Sequence, residues 1–153
     1  MSDTQCGFSD SAGSSGCDLL VSLGPTIFVN IGFDATYRFV PGGPAPIPGL
    51  AQVEALVDTG ASECCIDSLT AAQLKLPIVD RRKIGGVGGA QEVNMHLAQV
   101  FVPSLAFTMF GQFAGVHLQA GGQIHKALLG RTFLKFCSMS YDGPSGRVTI
   151  SRV

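Results

Sequence analysis

The chain has 153 residues, 46% of them apolar and 14% charged, a length that fits one domain. Average soluble chains carry about 25% charged residues, so this composition leaves apolar surface to be covered, and a partner subunit is the simplest cover. The net charge of −1 excludes the basic stripe that a nucleic-acid binder presents.

Residues 1–18 are rich in Ser, Gly and Asp and read as a flexible tail, open to proteolysis, ahead of a single domain at 19–153. They hold neither a basic segment nor an apolar core of the secretory kind, so a cytoplasmic location is expected. TIFVNIGFDATYRFV (26–40) is dense in β-branched and aromatic residues and predicts one or two strands, with a hairpin near 32–34. PGGPAPIPG (41–49) is loop, because four prolines remove donors and fix φ.

The apolar run Ala55-Leu56-Val57 then enters Asp58 directly. A carboxylate at the end of a buried strand is costly unless something satisfies it. Asp58 is therefore either a turn residue capping Gly60 or a residue held for chemistry.

DSLTAAQLKLP (67–77) predicts the one short helix, capped by Asp67 or Ser68 and ended by Pro77. IGGVGG (84–89) lies between two strand-like segments. Strands are expected over 93–110 and 113–120. The most apolar stretch, 101–116, is interrupted by Pro103, Ser104, Thr108, Gly111 and Gln112, too soon for a membrane span. Residues 138–151 predict a terminal hairpin turning at 142–146. The expected fold is mostly β.

The five cysteines are odd in number and irregularly spaced, with no C-x-x-C. They predict structural thiols in a reducing compartment, neither a disulfide scaffold nor a metal site. Cys64 and Cys65, adjacent on a strand, point to opposite faces. His96, His117 and His125 have no pairing spacing and read as surface or satisfied histidines. Ser62 has no G-x-S-x-G elbow around it, which argues against a serine hydrolase. G-G-V-G-G lacks the spacing and the Lys-Ser pair of a phosphate loop.

ALVDTGAS (55–62), IGGVGG (84–89) and ALLGRTFL (127–134), in this order and spacing, resemble the retropepsins, single-lobe aspartic proteases that work as homodimers. The resemblance covers roughly residues 26–150. It implies a retropepsin-like β-barrel with a flap hairpin and a C-terminal hairpin. It also implies an aspartic endopeptidase without metal or cofactor, acting on peptide or protein substrates. Asp58 would be the catalytic carboxylate. No second D-T-G or D-S-G is present, so its mate would be the Asp58 of a second copy. Thr59 would bond across the two-fold axis, Gly60 would let substrate backbone pass close, and Ala61 would line the cleft floor. Ile84, Gly85, Gly86, Val87, Gly88 and Gly89 would form a mobile flap tip, with the Val87 amide reaching a bridging water.

Gly130 would let the strand ending at Leu129 pack on the Asp58 loop, and Arg131 would open a short helix. Viral members place an aspartate where this chain has Ser62, so Arg131 is left with Glu63 or backbone carbonyls as partners. The C-terminal hairpin is more like that of cellular and bacterial relatives, and implies a differently built dimer sheet. A catalytically silent dimerisation or peptide-binding domain is the alternative, with the intact D-T-G-A against it.

Overall fold

The structure is a computed structural model that describes residues 2–85 and 88–153. Among these residues the chain forms two sheets and three short helices. The larger sheet has the order β2-β3-β8-β4-β7-β6-β5. Its strands are β2 (Thr26–Gly32), β3 (Leu50–Val57), β4 (Cys65–Asp67), β5 (Ile78–Ile84), β6 (Gln91–Val102), β7 (Phe107–Val116) and β8 (Ala127–Leu129). β2 pairs with both β3 and β6, which closes six of these strands into a barrel and leaves β5 outside, on β6 alone. The smaller sheet joins β1 (Ser2–Gln5), β10 (Arg147–Arg152) and β9 (Cys137–Asp142) in the order β1-β10-β9. The helices are α1 (Gly16–Leu23), α2 (Ser68–Gln73) and α3 (Arg131–Leu134).

Alternation builds the barrel. Ile27, Val29 and Ile31 of β2 are buried, and so are Val53, Ala55 and Val57 of β3, while Phe28 and Glu54 face away from the core. Ile66, Val100, Val102, Leu129 and Phe133 complete one continuous core that also reaches Val148 and Ile150 of β10. Burial of each such side chain contributes about 1.5–3 kcal/mol. The predicted helix forms as α2, with the Asp67 carboxylate accepting from the Thr70 amide as its N-cap. The terminal hairpin forms as β9–β10.

Three expectations are corrected. The strand expected over 93–110 is divided: β6 stops at Val102, a 3-10 turn follows at Pro103–Leu105, and β7 returns antiparallel with Phe107 opposite Val102. Pro103 has no amide to donate and cannot continue the ladder. The hairpin expected near 32–34 is absent. The chain leaves the barrel after Gly32 and returns at Leu50 through a long loop. Asp34 ties the loop's base: its carboxylate accepts from the Thr36 amide, the Thr36 hydroxyl and the Ile47 amide.

The expected flexible tail is ordered. β1 pairs antiparallel with β10 from Ser2↔Arg152 to Gln5↔Thr149. The Cys6 amide donates to the Val148 carbonyl, and the Thr26 amide donates to the Cys6 carbonyl. Cys6 is 1% exposed, and burial pushes its thiol up to about 12. α1 follows, N-capped by Ser15 and ended by Gly24 at φ 75°. Glycines let these segments approach. A Cβ on Gly16 would strike the Phe8 carbonyl, and one on Gly146 would strike the Gly16 backbone. The segment is held by backbone bonds and close backbone contact, which a composition rich in Ser and Gly does not reveal.

Gly16→Ala is expected to destabilise the fold by about 1–3 kcal/mol, read as a lower denaturant midpoint at unchanged slope; an unchanged midpoint would contradict this packing. Hydrogen bonds, first that from Ile47, hold the Asp34 carboxyl below its usual range. The clamp therefore contributes fully above the ordinary carboxylate pKa of about 3.9 and is lost as pH falls through the lowered value. In an NMR titration the Ile47 amide should move with that lowered transition, and Asp34→Asn should remove it.

Candidate active site

β3 delivers Asp58 at its C-terminal end. β8 lies beside it in parallel, with Val57 opposite Leu129, and the Asp58 amide extends the ladder by donating to the Leu129 carbonyl at 2.9 Å. The chain then turns. The Gly60 amide donates to Asp58 Oδ1 at 2.8 Å, and the Ala61 amide to the Asp58 carbonyl at 3.4 Å. The turn geometry orients the carboxylate, so the turn role and a chemical role for Asp58 do not compete. Among the described residues Oδ2 accepts no hydrogen bond. Asp58 is half-buried, and Thr59 and Gly60 are exposed.

The loop is fixed from beneath by the segment after β8. The Arg131 amide donates to the Ala61 carbonyl at 2.8 Å and the Thr132 amide to the Ser62 carbonyl at 3.0 Å. Arg131 Nη1 donates to the Thr59 carbonyl at 2.8 Å. Of the two partners open to Arg131, the backbone carbonyl is the one it takes; Glu63 makes no ion pair with it among the described residues. Cys64 Sγ and Thr132 Oγ1 lie 3.4 Å apart. Gly130 sits directly against the loop. A Cβ there would strike the Glu63 carbonyl and come within 2.7 Å of the Ala61 carbonyl.

The β5–β6 ladder ends at the pair Ile84↔Gln91, and the glycine-rich segment lies between them in sequence. Gly86 and Val87 lie outside the described residues. Gly85, Gly88 and Gly89 have open space where a Cβ would stand, and Gly89 has φ +96°. Ile84 packs on a small second apolar cluster of Val93, Met95 and Ala114, joined by Cys65 and Val116. Burial pushes the Cys65 thiol up to about 11, with Cys64, Glu63 and Asp58 adding negative potential. This cluster joins β5, β6 and β7 to Cys65 of β4. The sequence pointed to Ile84 alone; the signal for Val93 and Met95 was the period of two along β6. Cys64 instead joins the main core, as opposite facing requires.

Asp67 does more than cap α2. It is 2% exposed, and its Oδ1 accepts from the Leu118 and Gln119 amides while Oδ2 accepts from Thr70. It thereby ties β4 to the turn that precedes β8. The histidines are satisfied: His96 faces the Leu76 carbonyl, His117 the Ser68 hydroxyl, and His125 both Thr26 and Gln123. Among the described residues no three His, Cys, Asp or Glu side chains converge as metal ligands.

Residues 45–136 match the model of the gag-polyprotein putative aspartyl protease family. This span holds Asp58, the β5–β6 hairpin and Gly130. The chain belongs to this family. The retropepsin-like barrel and hairpins described above are its fold. The chain is also similar to the EIAV protease solved in complex with the inhibitor HBY-793, at 19% identity over 72% of this chain and 85% of that one, with a TM-score of 0.48. No curated protein matches it.

Gly130→Ala in this aspartyl protease-family chain is expected to lower stability by about 1–3 kcal/mol and to shift the Asp58 and Ala61 amide resonances. Unchanged resonances and an unchanged melting temperature would show that the loop does not rest on Gly130.

Proposed function

We propose that the protein is an aspartic endopeptidase, active as a homodimer in which two Asp58 carboxylates face each other. The observation that carries this reading is Asp58 itself. It is held at the end of β3 by the Leu129 carbonyl and the Gly60 amide, with one carboxylate oxygen unengaged among the described residues. Peptide hydrolysis without a covalent intermediate needs a base to take a proton from water and an acid to give one to the carbonyl oxygen. Two carboxylates sharing one proton supply both, because like charges a few ångströms apart cannot both ionise.

A single lobe offers one such carboxylate, so the second comes from another copy placed by a two-fold axis. Two further observations favour self-association. Thr59 is exposed beside Asp58. The edge strand β9 presents Met139 and Tyr141 at 37% and 54% exposure, the kind of apolar edge that a second copy covers.

In this dimer the water attacks the scissile carbonyl carbon as one Asp58 accepts its proton. The partner's proton goes to the carbonyl oxygen; the resulting diol then collapses as one hydroxyl returns a proton to the partner's carboxylate, while the first Asp58 gives its proton to the amine nitrogen and the C–N bond breaks. Substrate lies as an extended strand between the β5–β6 hairpin and the Asp58 loop, with apolar side chains against Ile84, Met95 and Val116. Closure of the hairpin excludes water, and its opening releases product.

Asp58→Asn is expected to lower turnover of an apolar peptide library by at least about a hundredfold while leaving sedimentation unchanged. Full turnover by a folded Asp58→Asn protein would exclude the mechanism, and a folded wild type with no turnover at any pH would favour a silent binding domain.

A further inference from the structure

β7 is paired on one edge and only partly on the other. It ladders with β6 from Phe107 to Ala114. On its other edge β4 meets only Ala114, Gly115 and Val116. From Phe107 to Phe113 that second edge has no neighbouring strand among the described residues, and no other backbone bond reaches it. Unpaired edges template further strands, and folded chains usually blunt them with charge, proline or a bulge. The outer strand β5 follows that rule, with Asp80, Arg81, Arg82 and Lys83 in sequence. The β7 edge, FTMFGQF, carries no charge and no proline.

This edge opens into a groove of about 770 Å³, a volume within the usual range for ligand sites. One wall is the loop tied by Asp34, where Phe39 and Val40 are 73% and 57% exposed. The opposite wall is the end of α3 with Phe136. Phe110 of β7, which also lines the groove, is 61% exposed.

Two cations line the groove. The Arg152 guanidinium lies 4.9 Å from the centre of the Phe107 ring, and Lys135 Nζ lies 5.1 Å from that of Phe136. The Phe107 and Phe136 rings are themselves 5.5 Å apart, so both cations mark the Phe107 end. Neither is paired with a carboxylate among the described residues. Glu63 also lines the groove, its backbone against Gly130 at the start of α3.

We propose that this groove docks an extended segment of a partner polypeptide, added as a strand to β7, with an acidic end against Lys135 and Arg152 and apolar side chains against Phe110 and Phe136. Main-chain bonds to a strand edge supply affinity, and the pockets on either side supply selectivity. The two cations at the Phe107 end set which end of the segment bears its carboxylates. The site does not involve Asp58, and its existence is independent of the peptidase reading.

The test uses Asp58→Asn protein, so that cleavage plays no part. Two short labelled peptides of alternating Leu and Thr are titrated by fluorescence anisotropy, one ending in two glutamates and one in two lysines. The acidic peptide should bind at least about tenfold more tightly, a difference of about 1.4 kcal/mol. It should also slow hydrogen exchange at residues 107–113. Lys135→Glu, at an exposed position, should erase the preference, and Phe110→Ser should weaken both peptides. Equal binding of the two peptides, no binding, protection confined to another edge, or a preference that survives Lys135→Glu would overturn the proposal.

Discussion

β8 is three residues long and lies between strands that run in opposite senses, parallel to β3 and antiparallel to β4. Through this wedge the core reaches the site. Ala127 and Leu129 point inward and are 1% exposed, while the carbonyl of Leu129 receives the Asp58 amide. The chain must then leave β8 directly beneath the loop it supports, and only a residue without a Cβ fits there. The carboxylate is thus positioned almost wholly by backbone. That explains how the site tolerates Ser62 in place of an acid: Arg131 braces the loop through the Thr59 carbonyl and needs no carboxylate.

The low charge content finds its structural counterpart in two places. The first is β9, at the edge of the small sheet, where exposed Met139 and Tyr141 suit a second copy. The second is the β7 groove, where Phe39, Phe110 and Phe136 are exposed around an unpaired strand edge. The two surfaces differ chemically. β9 belongs to a hairpin stitched to the N-terminal strand β1 through β10. The groove has two cations, Arg152 over Phe107 and Lys135 over Phe136. The two surfaces adjoin, since Arg152 of the groove stands opposite Cys137 at the start of β9.

Much of the barrel and of the Asp58 environment was legible in the sequence because short signals specify them. The apolar run Ala55-Leu56-Val57 marked the end of β3, Asp67 marked the start of α2, which ends at Gln73 well before the expected stop at Pro77, and the Leu-Leu-Gly run marked the strand that passes under the loop. What was not legible depends on backbone pairing at long range. β1 is four polar or small residues whose partners lie almost the whole chain away, and its composition is that of a tail. The Asp34 clamp joins residues that look like unrelated loop, and Cys65 acquires its place in the second apolar cluster only once β4 and β7 are paired. Of the hairpin tip, Gly86 and Val87 lie outside the described residues, so their proposed part in closure rests on the sequence alone.

Subunit mixing tests the central claim most directly, that two copies of one chain each lend a carboxylate to a single site. Wild-type and Asp58→Asn protein are mixed in equal amounts, allowed to exchange, and assayed at constant total concentration. If a site needs both aspartates, only the wild-type homodimers, about a quarter of random pairs, stay active, and turnover should fall to about a quarter of the pure wild-type rate. A fall to only about half, as for chains that act alone, would contradict it.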